Sequence, residues 1–359
     1  MSFVGHIKSW FDRVFAEEEA LTIVALILLA IVIMSYLGSY IAPLLAAVVI
    51  SFLLDGFVKP LVKIGLARGY AVYLVYAVFV GVMVGLVFVL FPEIWRQLSS
   101  LVNAAPAIVG ELQAGAVHLS EQYPQYLSRS HLDEMFSSAS GEVGQLTQKA
   151  LAYSVSGLQG VMTVAIYLVL VPILVFFMLR DQAAIGSWFE GFLPSRRSRL
   201  TTIWGEFIAQ CGNYARGKVV EIVVVGLVSF ITFSVLGLSY AALLGFLVGL
   251  SVIIPFLGAA VVTIPVMLVG YFQWGVSTEL LALFVAYSII QFLDGNVLVP
   301  LLFSEAVKIH PVGIIAAVLI FGGLWGIWGV FFAIPLATLI KALINSWPSE
   351  AKRANEEST

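Results

Sequence analysis

The residues best placed to do chemistry in this sequence are charges standing in apolar runs. Asp294 is the clearest. It lies in Ser288-Ile-Ile-Gln-Phe-Leu-Asp-Gly-Asn-Val-Leu-Val-Pro300, with Gln291 and Asn296 as polar neighbours and with Gly295 and Pro300 weakening the helix on either side. Charges inside membrane helices are costly and usually functional. A broken helix also leaves amides and carbonyls that a membrane tolerates only where they line a cavity or lie inside protein. Together these features predict a midplane site for a solute, a cation or a proton, with Asp294 as the carrier. The competing reading is a helix cap, in which Asp294 only bonds nearby amides.

Two further groups of residues accompany it. Glu305, Lys308 and His310 end at Pro311. Glu305 and Lys308 have the i,i+3 spacing of a helical ion pair, and histidine, present here as His310, is the side-chain type suited to a proton switch. An interfacial loop with ordinary charges is the alternative. In Asn213-Tyr214-Ala215-Arg216-Gly217-Lys218-Val219-Val220-Glu221, Arg216 and Lys218 read as snorkelling cations at the cytoplasmic interface. Glu221 lies one turn deeper and needs a partner, with Arg216 and Lys218 the nearest.

Other residues shape the backbone. Pro255 interrupts one apolar run, and Gly322, Gly326 and Gly329 punctuate another. Those glycines permit either close helix packing or a hinge. Trp325 and Trp328 between them read as interface anchors or as the lining of a pathway. The stretch Phe52–Pro60, with Asp55-Gly56, echoes Phe292–Pro300, with Asp294-Gly295. An inverted repeat would place the two aspartates in opposite halves of the membrane; chance similarity is the other explanation.

The elements that must position these residues follow from composition. Of 359 residues, 61% are hydrophobic and 11% charged, against about 45–50% and about 25% in soluble chains. The mean hydropathy is +1.03. Eighteen basic and 21 acidic residues cannot cover a soluble surface of this size, so the chain is an all-α polytopic membrane protein. About 20 apolar residues make a helical span. The sequence predicts a short N-terminal segment over 1–20, three spans within 21–92 (21–37, 41–57 and 70–91), an amphipathic helical segment over 93–150 and a fourth span over 151–179. A basic segment over 180–218, spans five to eight within 219–345 with broken helices, and a tail over 346–359 complete the expectation. The first apolar run begins near Leu21 behind Glu17, Glu18 and Glu19 and reads as a retained span rather than a cleaved signal.

Charge bias sets the expected orientation. The 93–150 segment carries six acidic and three basic residues, whereas 180–218 carries six basic and three acidic ones. The N-terminus, 59–68, 180–218 and the C-terminus therefore belong in the cytoplasm and 93–150 outside. Residues 240–272 and 311–344 are the uncertain stretches. If one of them folds back as a hairpin the C-terminus changes sides, and if both do it does not. The 93–150 segment is read as a solvated cap or as a partner-binding surface.

Inventory excludes other classes. Cys211 is alone, so there is no internal disulfide and no CxxC metal site. No HExxH or Walker loop is present, no second carboxylate clearly faces Asp294 for aspartyl proteolysis, and a net charge of −3 gives no nucleic-acid footprint. No cofactor, metal or catalytic residue is expected, and the partners are the lipid bilayer and a small solute or cation. Small-residue runs at Gly245–Gly249 and Gly322–Gly329 suggest a homo-oligomer.

The stretch QFLDGNVLVPLLFSEAVKIHPVGIIAAVLIFGGLWGIWGVFFAIPLATLIKAL, from Gln291 to Leu343, resembles the autoinducer-2 exporter family of permeases, most closely its PerM branch. So do NYARGKVVE at 213–221, VGLSVIIPFLGAAVVTIPV at 248–266 and YLVLVPILVFFMLRD at 167–181. The resemblance covers nearly the whole chain. It implies seven or eight membrane helices, a bacterial inner membrane, a pentamer, and either export of autoinducer-2 or sodium (lithium)/proton antiport. On the same grounds Asp294, Gly295, Asn296, Pro300, Glu305, His310 and Pro311 match the family's C-terminal motif. Secondary transport is the expected function, with a non-transporting scaffold that binds a partner through 93–150 as the alternative.

Overall fold

The structure is a computed structural model that describes residues 18–122, 158–191, 198–255, 257–303 and 310–346, with isolated positions between 134 and 145. Among these residues there is no strand. The helices are α1 (Glu18–Lys63), α2 (Arg68–Gly85), α3 (Phe91–Gln122), α4 (Leu158–Arg180), α5 (Gln182–Glu190), α6 (Ser198–Val235), α7 (Ala241–Ser251), α8 (Leu257–Trp274), α9 (Thr278–Leu293), α10 (Val299–Phe303) and α11 (Pro311–Ser346). Six of the described helical stretches are long and apolar enough to cross a membrane, or seven if α4 and α5, bent by 84°, count as one. The chain is thus an all-α multi-pass membrane protein, with fewer candidate spans among the described residues than the eight expected.

The first departure is α1. Two spans were predicted around Gly38-Ser39-Tyr40, yet one helix of 46 residues runs through this stretch and through Pro43 and Pro60. A glycine costs about 1 kcal/mol in a helix, too little to end one, and prolines inside membrane helices are tolerated. A single rod cannot form the predicted hairpin.

The second departure explains how Pro300 and Pro92 are accommodated. The helix predicted to break at Gly295 instead widens into a π-helical turn over Asp294–Leu298 and continues into α10. Val299 N–H reaches back to the Asp294 carbonyl, five residues away. The same turn occupies Leu86–Leu90, with Phe91 N–H bonded to the Leu86 carbonyl. Each π-turn ends two residues before a proline. Proline has no N–H to give and its ring crowds the carbonyl four residues earlier; one extra residue in the turn relieves that crowding.

The third feature settles 240–272 and 311–344: both fold back on themselves. Gln273, near the end of α8, accepts from Ser239 N at 2.7 Å and donates to Gly237 O at 2.8 Å. In a straight helix these residues would stand about 50 Å apart. The tip of this hairpin lies at 252–255 and contains Pro255. At 11 residues, α7 reaches about 16 Å, half of a bilayer core of about 30 Å. In α11 the chain reverses at Gly326, which has φ 60° and ψ −138°. A Cβ on Gly329 would fall on the Phe321 carbonyl oxygen, and Ala317 and Val318 pack against Ala333. Both glycine readings therefore hold within this helix: Gly326 turns the chain, while Gly322 and Gly329 let its two legs touch.

The hairpins meet α6 at different levels. The α7–α8 hairpin opens beside the C-terminal end of α6, at the turn 236–240, and the mouth of α11 lies beside the middle of α6, where Ile314 and Ile334 cluster with Tyr214 and Phe303. One core joins α6, α7, α8 and α9 through Phe233, Leu244, Val248, Val266, Leu283 and Tyr287. A second joins α1, α2 and α4 through Ala47, Val58, Ala71, Val175 and Leu179. Outside both, large apolar side chains such as Val78, Phe88, Ile231 and Val261 are exposed, a surface suited to lipid and costly in water.

Candidate functional site

Of the two carboxylates picked out by sequence, Glu221 pairs with a buried lysine and Asp294 lies within electrostatic reach of that pair. Lys218 and Glu221 stand one turn apart on α6 and are only 4% and 2% exposed. The Lys218 Nζ lies 2.7 Å from Glu221 Oε2. That oxygen has no well-directed hydrogen bond, so the contact is an ion pair. The ammonium instead directs a hydrogen bond to the Val252 carbonyl oxygen, 2.9 Å away at the tip of the α7–α8 hairpin. The rings of Phe303 and Tyr214 flank it, at 5.2 and 5.9 Å. Asp294, in the π-turn, is within electrostatic reach of both Lys218 and Glu221.

Close backbone contact makes this convergence possible. A Cβ on Gly249 would lie 2.7 Å from the Ile222 carbonyl oxygen, and one on Gly245 would lie 2.8 Å from Phe230 Cα. Without side chains at these positions α7 lies directly on α6, which carries Val252 to Lys218. The glycine run expected to join copies of the chain is therefore used inside it.

The charges do not balance locally. One ammonium faces two carboxylates, and several buried polar atoms have no hydrogen-bond partner: Asp294 Oδ1, Gln291 Nε2 and the Tyr214 hydroxyl. Asp294 is half-buried, with Oδ1 enclosed, and a carboxylate so placed without a counter-charge of its own is unfavourable unless it takes a proton, a cation or water. The arrangement can therefore hold and release one positive charge.

The remaining predicted residues fall elsewhere. Arg216 turns to the opposite side of α6, donating to Asn213 Oδ1 at 2.6 Å and to the Phe52 carbonyl at 3.4 Å. Lys218, read as an interfacial cation, is buried instead, because its partner Glu221 and the Val252 carbonyl are buried with it. Asn296 is exposed and donates to the Phe292 carbonyl of its own helix at 2.9 Å, taking no part in the cluster. Gly295 is helical, with nothing near its Cα, so it is not the expected break. His310 is exposed; its Nδ1 accepts from Val312 N at 3.3 Å, and Pro311 opens α11. Glu305 and its predicted pairing with Lys308 lie outside the described residues. A Cβ added to Gly56 would lie 3.0 Å from Arg216 Cδ, so Asp55-Gly56 stands beside the same stretch of α6 whose Lys218 and Glu221 lie within electrostatic reach of Asp294.

The sequence reading left Tyr214 and the Val252 carbonyl out of the site altogether and, besides an interfacial role, offered Lys218 only as one of two possible partners of Glu221. The spacing of Lys218 and Glu221, i and i+3, was a legible signal. A backbone carbonyl freed at a hairpin tip was not.

A family model described as "AI-2E family transporter" matches residues 21–349. The chain belongs to the AI-2E transporter family. It is 42% identical over 342 residues to "Putative permease PerM" of Escherichia coli (strain K12), covering 95% of this chain and 97% of that one. It is 28% identical over 286 residues to "Putative transport protein YueF" of Bacillus subtilis (strain 168), covering 77% and 76%. "Putative transport protein YrrI" of the same organism is 26% identical over 284 residues, covering 78% of each chain. AI-2E proteins are transporters rather than a class of enzymes, and the AI-2E match takes in α6, both hairpins and the π-turn that carries Asp294.

Proposed function

We propose that this AI-2E chain is a secondary transporter of the bacterial inner membrane. It exports a small solute and couples that movement to one proton or monovalent cation held at Lys218, Glu221 and Asp294. The observation that carries the reading is the charge count at the cluster: the buried Lys218 is paired with Glu221, and a second carboxylate, Asp294, lies within electrostatic reach without a counter-charge of its own. Asp294 is then the carboxylate free to load. Because Lys218 also holds the hairpin tip through Val252, a change in its pairing bears directly on the position of that hairpin. That link gives loading at Asp294 a mechanical consequence. Cytoplasmic termini and a homo-oligomer, a pentamer by resemblance, belong to the same proposal.

Flux from proteoliposomes tests it. Solute efflux that depends on a proton or sodium gradient, with autoinducer-2 as the first solute, is the expected result. Sodium-driven proton movement without solute assigns the chain to plain antiport. Neither, together with a protein retained by residues 93–150, makes it a scaffold and overturns the proposal.

A further inference from the structure

A second group of charges lies away from this cluster, where α4 bends by 84° into α5. Since α4 is a membrane-type helix, α5 runs nearly at right angles to it, along the membrane surface. Trp188 on α5 is 62% exposed, and tryptophan is a residue of membrane–water interfaces. Around the bend four cations gather from three elements. Lys59 of α1 and Arg68 of α2 share the buried carboxylate of Asp55, at 2.8 and 3.5 Å. Arg68 also donates to Gln182 Oε1 at 2.6 Å, which ties the start of α2 to the start of α5. Arg180 lies 3.8 Å from Asp181. Lys63 stands one turn beyond Lys59 on the same face of α1, is exposed, and has no ion-pair partner among the described residues.

Among the described residues, four cations thus face two carboxylates, and two positive charges are left over. The side chains of Lys59, Arg68 and Arg180 are 64%, 47% and 56% exposed, so their outer faces are open to a ligand. The excess stands at the level of an interfacial helix, where headgroup phosphates are already concentrated. We propose that this surface seats the phosphate of an anionic glycerophospholipid from the adjoining leaflet, between Lys63, Arg68 and Arg180, with Trp188 lodged among the neighbouring headgroups. The lipid supplies the negative charge that the protein lacks there, and it holds the 63–68 turn and the α4–α5 bend against the membrane. This assignment is independent of the transport site.

The test uses full-length protein in phosphatidylcholine nanodiscs doped with brominated phosphatidylglycerol or, at equal fraction, brominated phosphatidylcholine. The readout is quenching of Trp188, taken as the difference between the protein and W188F. Brominated phosphatidylglycerol should be preferred by about fivefold or more, the worth of one basic residue at an anionic surface, and the preference should collapse at about 1 M salt. K63Q/R180Q leaves both Asp55 bridges intact and should lose most of the preference. R96Q, whose charge pairs with Glu93 away from this surface, should keep it. A second readout does not depend on Trp188: native mass spectrometry of protein purified from mixed bilayers should find phosphatidylglycerol enriched. Equal quenching by the two lipids, a preference unchanged in K63Q/R180Q, or no enrichment overturns the proposal. Displacement of the lipid by inorganic phosphate would assign the surface to the free ion and overturns it as well.

Discussion

The Lys218 ammonium on α6 donates to the carbonyl oxygen of Val252 across 2.9 Å, joining a helix long and apolar enough to span a membrane to the tip of the α7–α8 hairpin. The same ammonium is the ion partner of Glu221. One side chain therefore links the charge state of the site to the position of the hairpin.

Asp294 is the first residue to alter. Asp294→Asn keeps shape and hydrogen bonding but loses the titratable charge. In a proteoliposome flux assay it should lower transport by about tenfold or more, equivalent to about 1.4 kcal/mol, and remove its pH dependence, while yield and size-exclusion profile stay normal. Full transport in Asn with a destabilised Asp294→Ala would leave Asp294 a structural cap.

Lys218 and Glu221 should be coupled in stability. Lys218→Met strands a buried carboxylate and should destabilise by about 3–5 kcal/mol, whereas Lys218→Met combined with Glu221→Leu should recover part of that loss. Thermal unfolding in detergent reads both. Equal destabilisation in the single and double variants would mean that Lys218 acts mainly through Val252.

Gly326 carries a backbone conformation, φ 60° and ψ −138°, that a side chain strains. Gly326→Ala should cost about 1–3 kcal/mol. Gly329→Ala should be worse, because its Cβ meets the Phe321 backbone, while Gly323→Ala, with open space around it, should be silent. Yield of monodisperse protein separates the three.

The hairpins make an accessibility prediction that differs from eight simple crossings. With Cys211 replaced, cysteines at Ser239 and Val276 should label from one side of the membrane, and cysteines at His310 and Lys341 from the other. Labelling of Ser239 and Val276 from opposite sides would mean that 240–272 crosses once.

Composition alone decided the class: with so few charges and so many apolar residues the chain had to be helical and in a membrane, because only hydrogen-bonded helices or closed barrels can stand in lipid. Periodicity and isolated charges also found Asp294 and Glu221, since a carboxylate in an apolar run is conspicuous at any position. What the sequence could not decide was direction. A run of thirty apolar residues reads the same whether it crosses or turns back. Only contacts between residues far apart in the chain, Gln273 on Ser239 and Gly329 on Phe321, distinguish the two. Pro300 likewise announced a disturbance without saying whether the helix would break or widen; it widens, as it does before Pro92, and α10 then packs against α6 through Phe303 and Tyr214. The partner of Glu221 was undecided for the same reason. Arg216 and Lys218 both precede it within two helical turns, but the two-residue step between them rotates about 200° around a helix. Tertiary packing placed Phe52 on one side of α6 and Val252 on the other, and so sent the two cations to different carbonyls.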